Sequence, residues 1–240
     1  MAGSRFAYVK NFELPDTLLP GTFIVVRVDG HAFHRFSDVH GFEKPNDERA
    51  LKLMDRAARA IMDEYTDVTL AFGESDEYSF LLRRSTTLYN RRQAKILTTF
   101  VSLFTSSYML HWPEFFPDQR LAYAPSFDGR IVLYPTEKEV RDYFAWRQTD
   151  THINALYNTT FWALVQQGRK SAKEAHETLK GTVSSQKHDI LYNGFGINYN
   201  ERVERRRGLS MGVMREEEEE EEKGVGRRKG RRRKGKIRVM

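Results

Sequence analysis

Asp29 closes an apolar, β-branched run that begins at Thr22, and Asp76 lies in a second acidic cluster, Gly73-Glu-Ser-Asp-Glu-Tyr-Ser-Phe. Carboxylates at two strand ends, with a helix's length of chain between them, could converge on a pair of divalent ions. Such a pair can clamp the attacking and leaving oxygens of a phosphoryl transfer. Mg²⁺ suits this donor set, because it takes carboxylate and phosphate oxygens and completes its shell with water. The Gly30 carbonyl could add a ligand, since glycine lets the backbone approach closely. Spacing alone leaves a plainer reading level with this one: Asp29 and Asp76 as turn residues, where aspartate is common.

Other side chains could serve the same chemistry. Backbone N–H groups in a turn such as Asp29-Gly-His-Ala-Phe-His can cradle an anion, although neither a Gly-Lys-Ser/Thr nor a Gly-x-Gly-x-x-Gly motif is present. His31 and His34 lack the cysteine or histidine partners of a zinc site, and His34 suits stacking or phosphate contact better. Arg92 and Lys95 are three apart, hence on one helix face near an anion-favouring helix start. They could bind a triphosphate or be a solvated helix end, and Arg130 is a similar case. Glu77 is expected to point to the strand face opposite Asp76. His152, Asn154 and Asn158 are polar positions in an otherwise apolar stretch, where an unshielded polar group is costly. They therefore cap, pair or face a ligand.

The elements that must position these residues follow from periodicity. Residues 22–28 read as a buried strand, and 30–41 as a loop or short helix. Pro45-Asn-Asp caps a helix with apolar positions Leu51, Met54, Ala58, Ile61 and Met62, running to about Tyr65. Val68–Phe72 and Glu77–Leu82 flank a hairpin with Asp76 at its tip. Parallel pairing of neighbouring strands would then bring Asp29 beside that tip. A long helix over about 88–110 follows, then a turn around Asp128-Gly and a short strand, 131–134. Thr136 with Glu139 opens a helix that continues, with a break, to Gln167. Ser171 with Glu174 opens another, which Gly181 closes. Residues 184–192 read as helix and 196–200 as a last strand. No internal repeat is evident.

The chain has 240 residues, 40% of them hydrophobic, no cysteine and a pI near 9.4. That length suits one domain with a small appendage. Without cysteine there is no disulfide framework and no thiolate metal site, which suits a reducing compartment. The N-terminus lacks a secretory apolar core, and no run reaches the roughly 20 residues of a membrane span. An intracellular, chiefly cytoplasmic, protein is expected, with nuclear and mitochondrial pools left open. Residues 201–240 hold 15 basic and 9 acidic residues, leaving 24 of each in residues 1–200. The body is formally neutral, so overall basicity does not argue for nucleic-acid binding. The tail, with seven consecutive glutamates (Glu216–Glu222), is expected to be disordered.

Taken together, Thr22–Phe36, Gly73–Phe80, Ser126–Arg130 and His152–Trp162 resemble the tRNA-histidine guanylyltransferases, with the likeness running to about Asn200. The resemblance implies an α/β (α+β) fold: a polymerase- or cyclase-like palm with a mixed sheet and added helices. It implies a catalytic core over 1–135, a helical region for tRNA or oligomer contacts over 136–200, and the charged tail from 201. The implied enzyme is a nucleotidyltransferase that adds a guanylate to the 5′ end of tRNA-His. ATP adenylylates the 5′-phosphate, the GTP 3′-hydroxyl displaces AMP, and pyrophosphate is removed.

By that resemblance Asp29, the Gly30 carbonyl and Asp76 hold two Mg²⁺ ions, with Glu77 in support. Asp29, Gly30, His31, Ala32, Phe33 and His34, with Ser75 and Asp76, line the nucleotide. Lys44 and Asp47 lie near its base, and Arg92, Lys95 and Arg130 engage a triphosphate. His152, Asn154, Asn158 and Lys187 position tRNA or maintain a homotetramer. The alternatives are a nucleotidyl cyclase on the same palm and a non-catalytic tRNA-binding protein. Two departures stand out. Ala155 replaces the family's usual Asn, and the familiar continuation is not recognisable after Asn200. Glu201–Met240 reads as a divergent end or, the favoured reading, as translated non-coding sequence.

Overall fold

The first apolar run forms β1 (Phe23–Gly30) at the heart of an antiparallel sheet. The computed structural model describes residues 4–201 and the backbone of 212–215 and 237–239. The sheet contains β2 (Val68–Glu74), β3 (Glu77–Leu82), β4 (Phe127–Tyr134), β5 (Gly212–Arg215) and β6 (Ile237–Val239) in the order β4-β1-β3-β2-β5-β6. Every pair is antiparallel, so the expected parallel neighbours and mixed sheet are not found among the described strands. Asp29 still reaches the hairpin tip, because β1 lies antiparallel beside β3 and Asp29 pairs in register with Glu77. Two stretches of the expected disordered tail are strands of this sheet. The rest of that segment lies outside the described residues.

Alternation gives the sheet two faces. Ile24, Val26, Val28, Tyr78, Phe80 and Leu82 are buried on one of them. The helices α2 (Glu48–Glu64) and α3 (Gln93–Phe115) cover that face through Leu53, Ile61, Phe100 and Phe104. Asp47 caps α2 by accepting from the Arg49 amide, as the Pro45-Asn-Asp signal predicts. A short helix, α1 (Phe33–Val39), follows β1 and buries Phe33 and Phe36 in the same core.

A single uninterrupted helix, α4 (Glu137–Gln166), lies over the other face and starts at the Thr136/Glu139 capping box. The break expected within it is absent. One stripe of its polar middle is covered: Tyr143, Arg147 and Thr151 are buried at four-residue spacing and turn toward the sheet, while Gln148, Thr149 and His152 stay exposed. The helices α5 (Ala172–Leu179) and α6 (Ser184–Phe195) pack on its C-terminal half.

Two sequence signals misled. Asp128-Gly129 is not a turn but part of β4, where a Cβ on Gly129 would stand 2.7 Å from Val101. Glycine there admits α3 against the sheet. Residues 196–200 do not form a strand. Gly196 caps α6 with φ +62°, and Ile197 and Tyr199 bury beside Leu156 and Leu191.

Candidate active site

The register aligns four carboxylates in one row across four strands. Asp29 faces Asp128 on β4 and Glu77 on β3, and Glu77 faces Glu74 on β2. Like charges directly opposite one another destabilise a sheet, so this row needs cations. One row inward, Arg27 stands opposite Arg130. Its guanidinium contacts Asp29 at 2.8 Å and also pairs with Glu77. From α4, Arg147 Nη1 donates to both Glu77 oxygens at 3.1 Å while Nη2 pairs with Asp150. Burial works against the Arg147 charge, but Glu77 and Asp150 outweigh it and hold the guanidinium protonated. Glu74 accepts from the Thr151 hydroxyl at 2.8 Å and the Asn154 amide at 3.3 Å. Glu77 therefore lies on the face of Asp29, as its register requires, and its oxygens are occupied by arginines.

Asp76 is placed differently. The hairpin turns at Ser75, which takes a left-handed φ of +53°, and the Gly30 N–H donates to the Asp76 carbonyl at 2.9 Å. That bond stitches the end of β1 to the turn. Gly30 is required by packing as well: a Cβ there would stand 2.4 Å from the Phe33 ring. Burial, with the charges of Asp29 and Glu74, pushes the Asp76 carboxyl above the ordinary aspartate value. Unlike Glu77, it pairs with no arginine among the described residues.

Asp76 also lies at the seam of two adjoining cavities. The first, about 730 Å³, runs between the α1–α2 segment and the C-terminal half of α4, and His34, Lys44, Asp47, Ser75 and Trp162 line it. The second, about 450 Å³, lies over the acid row and is lined by Arg27, Asp29, Glu77, Arg147 and Asn154. Ser75, Asp76 and Asn158 belong to both. Lys44 Nζ donates to Ser37 at 2.9 Å, pairs with Asp38 and faces the Trp162 ring. Asp47 is in the wall, yet its oxygens serve the α2 cap, the Glu43 amide and the Arg49 guanidinium. His34 is 90% exposed at the rim, beside Asp38. Ala32 turns the chain into α1 with φ +54°, and Phe33 is a core residue stacked on Phe36. The His31 N–H is spent on the Ser126 carbonyl, so it is not free to cradle an anion.

Arg92, Lys95, Arg130, His152 and Lys187 line neither cavity, and nor do Gly30, His31 and Ala32. Arg92 pairs with Asp16 at 3.4 Å and Lys95 faces the Tyr89 ring. Both stand at the start of α3, beside the segment entering β1, at the opposite end of that strand from Asp29. His152 packs against Tyr199, and Lys187 donates to the Thr182 carbonyl. Arg130 is exposed on the acid-row face. Sequence reasoning missed Arg147, Glu74 and Asp128. The four-residue spacing of Tyr143, Arg147 and Thr151 was the available signal for the first.

Asp29, Asp76 and the Gly30 backbone fit a Mg²⁺ site by the chemistry of their oxygens and by the uncompensated charge on Asp76. Among the described residues no three acidic or histidine side chains close around one point. The protein would thus supply a minority of the ligands and leave places for phosphate and water.

Comparison with known proteins bears on this geometry. The family model described as tRNAHis guanylyltransferase matches residues 6–135, and that of the Thg1 C terminal domain matches 138–239. The second match extends well past Asn200, where the family pattern was expected to stop. The tRNA(His) guanylyltransferase of Schizosaccharomyces pombe is 56% identical over 204 residues, spanning 85% of this chain and 78% of that protein. The crystal structure of the Saccharomyces cerevisiae enzyme of that name superposes with a TM-score of 0.79 at 50% identity, covering 82% of this chain and 87% of the other. A bacterial tRNA(His) guanylyltransferase-like protein in complex with GTP is 26% identical with a TM-score of 0.56, covering 65% of this chain and 74% of the other.

Proposed function

This chain belongs to the tRNAHis guanylyltransferase family of nucleotidyltransferases, and from that premise we propose that it adds a guanylate to the 5′ end of tRNA-His, with ATP and GTP as substrates. The observation that carries this reading is the Asp29–Asp76 pair, joined through the Gly30–Asp76 backbone bond, with Asp76 opening onto a cavity of nucleotide size and both onto the one beside it. Mg²⁺ bound there would supply Lewis-acid stabilisation of the phosphoryl oxygens. Asp29, Asp76 and the Gly30 carbonyl would hold it. A 5′-phosphate oxygen of the tRNA attacks the α-phosphorus of ATP and releases pyrophosphate. The GTP 3′-hydroxyl then attacks the activated 5′-phosphorus, loses its proton and displaces AMP. Water finally attacks the α-phosphorus of the added nucleotide and releases pyrophosphate, leaving a 5′-monophosphate.

Ser75, His34 and Lys44 line the nucleotide cavity, with Lys44 the cation nearest to hand for phosphate. Asp47 shapes the wall near the base without spending its carboxylate on it. Glu77 acts at one remove, by fixing Arg27. Arg130 faces the phosphates from the sheet edge. Arg92 and Lys95 are outside the cavities of a single chain, so their contact with a triphosphate would require another copy, as in a homotetramer. Asn154 and Asn158 guide the tRNA end at the second cavity, while His152 and Lys187 serve tRNA binding or assembly from farther out. No helix among the described residues is long and apolar enough to cross a membrane. An intracellular site of action agrees with a tRNA substrate.

The test is to incubate the protein with 5′-phosphorylated tRNA-His, ATP, labelled GTP and Mg²⁺. A labelled tRNA one nucleotide longer is expected. Cyclic nucleotide formation without tRNA extension would overturn the proposal in favour of a cyclase.

A further inference from the structure

We propose that Arg147 is a positioning residue for nucleotidyl transfer: reaching from α4, it occupies both Glu77 oxygens beside Arg27 and so reserves the opening between Asp29 and Asp76 for divalent ions. The proposal rests on the two-acid reading above. Its basis is a chain of contacts that runs from α4 to the end of β1. Arg147 grips both Glu77 oxygens at 3.1 Å, Glu77 pairs with Arg27, and Arg27 reaches Asp29 at 2.8 Å. The Arg147 side chain is only 4% exposed. It is pinned on its other side by Asp150 and lies 3.9 Å over the Trp146 ring. A guanidinium fixed on three sides is preorganised to hold a carboxylate in one orientation.

Without Arg147, Glu77 would keep Arg27 as its sole charged partner and would face the second cavity with a free lone pair. The acid row would carry one more uncompensated negative charge. Divalent cations would then bind more tightly, but with Glu77 competing as a ligand and in the wrong arrangement for transfer. A purely structural arginine predicts the reverse: its loss would loosen the site, weakening cation binding and turnover together.

Arg147→Met retains the stem that packs on Trp146 and removes the charge, and Arg147→Lys restores a point charge. Three quantities are read: Mn²⁺ affinity without substrate, from the electron paramagnetic resonance of the free ion; steady-state guanylate addition to 5′-adenylylated tRNA; and the thermal midpoint. For Arg147→Met, kcat is expected to fall about 10- to 100-fold, the usual cost of losing a residue that orients a metal site. The KM for GTP should stay within about 2-fold, the electrostatic expectation for a residue that does not touch the nucleotide. Mn²⁺ should bind about 5-fold more tightly, as removing a nearby cation implies. Arg147→Lys should recover most of the rate. Unchanged kcat in Arg147→Met, or Mn²⁺ binding weakened along with turnover, overturns the assignment. Asp29→Ala separates the two readings: if it binds Mn²⁺ as the unaltered protein does, the two-acid site itself has failed, whatever Arg147 does.

Discussion

Along β1 the residues that face α2 and α3, Ile24, Val26 and Val28, are wholly buried and apolar, whereas Arg27 and Asp29 on the other face meet α4 through ions and hydrogen bonds. The same strand thus presents a packing surface and a chemical surface, separated only by the direction of alternate side chains. On the first face, stability comes from contact area, and aromatic rings such as Phe80, Phe100 and Phe104 are interlocked edge-to-face. On the second, five carboxylates, Asp128, Asp29, Glu77, Glu74 and Asp76, meet two buried or half-buried arginines, Arg27 and Arg147. That imbalance leaves Asp76 under strain of charge, which a divalent ion would relieve. What differs is therefore the currency of stability, and a mutation on one face should leave the other's function nearly alone.

Substitutions at the acid row put this separation under the greatest load. Asp29→Ala and Asp76→Ala are expected to lower guanylate addition about 10³-fold or more, the scale of losing a preorganised electrostatic contact to the transition state. Their urea unfolding midpoints should stay close to that of the unaltered protein. A stability collapse in either variant would break the comparison. On the apolar face Phe104→Ala should do the converse, costing about 3–5 kcal/mol of stability with little change in kcat for the molecules that remain folded. Urea unfolding alongside the tRNA extension assay checks both halves.

One carboxylate intrudes on the apolar face and sharpens the contrast. Asp55 on α2 accepts a hydrogen bond from the buried Tyr78 hydroxyl at 2.6 Å. Burial pushes its pKa up from 3.8 to about 6, against the pull of that bond and of Arg59. The folded protein therefore holds this proton more tightly than the unfolded chain. The destabilisation grows as pH rises from about 3.8 to about 6 and is complete above that window. Asp55→Asn is predicted to gain about 1–2 kcal/mol at pH 7.5, discounting for partial exposure, and almost nothing near pH 4. Urea unfolding at the two pH values tests the sign. The smallest effect is expected at Tyr143→Phe, which strands the buried Ser79 hydroxyl that the tyrosine meets at 2.7 Å. It should cost about 1 kcal/mol of stability.

The two faces also differ in how far they could be read from the chain. Periodicity identified β1, α2 and the hairpin because a packing surface repeats along one element, as Met54, Ala58, Ile61 and Met62 do on α2. Asp29 and Asp76 were legible as candidates because one ends a strand and the other sits at a hairpin tip. The acid row as such was not, since it exists only through the antiparallel register of four strands distant in sequence. That is why parallel neighbours were expected. Arg92 and Lys95 show the same limit: helical spacing puts them together, but nothing local reveals that β1 carries Asp29 away from them. In β4, Asp128-Gly129 has the composition of a turn. Its glycine is explained only by the approach of Val101 from α3.

A crystal structure with Mn²⁺ and GTP, using anomalous scattering to locate the metal, addresses the central claim most directly. Manganese is expected to be shared by the Asp29 and Asp76 carboxylates, at the short distances of about 2.0–2.2 Å typical of small hard cations with oxygen ligands, with Glu77 still on Arg147. Manganese held by Glu77, Glu74 or Asp128 with Asp76 uninvolved would contradict that claim.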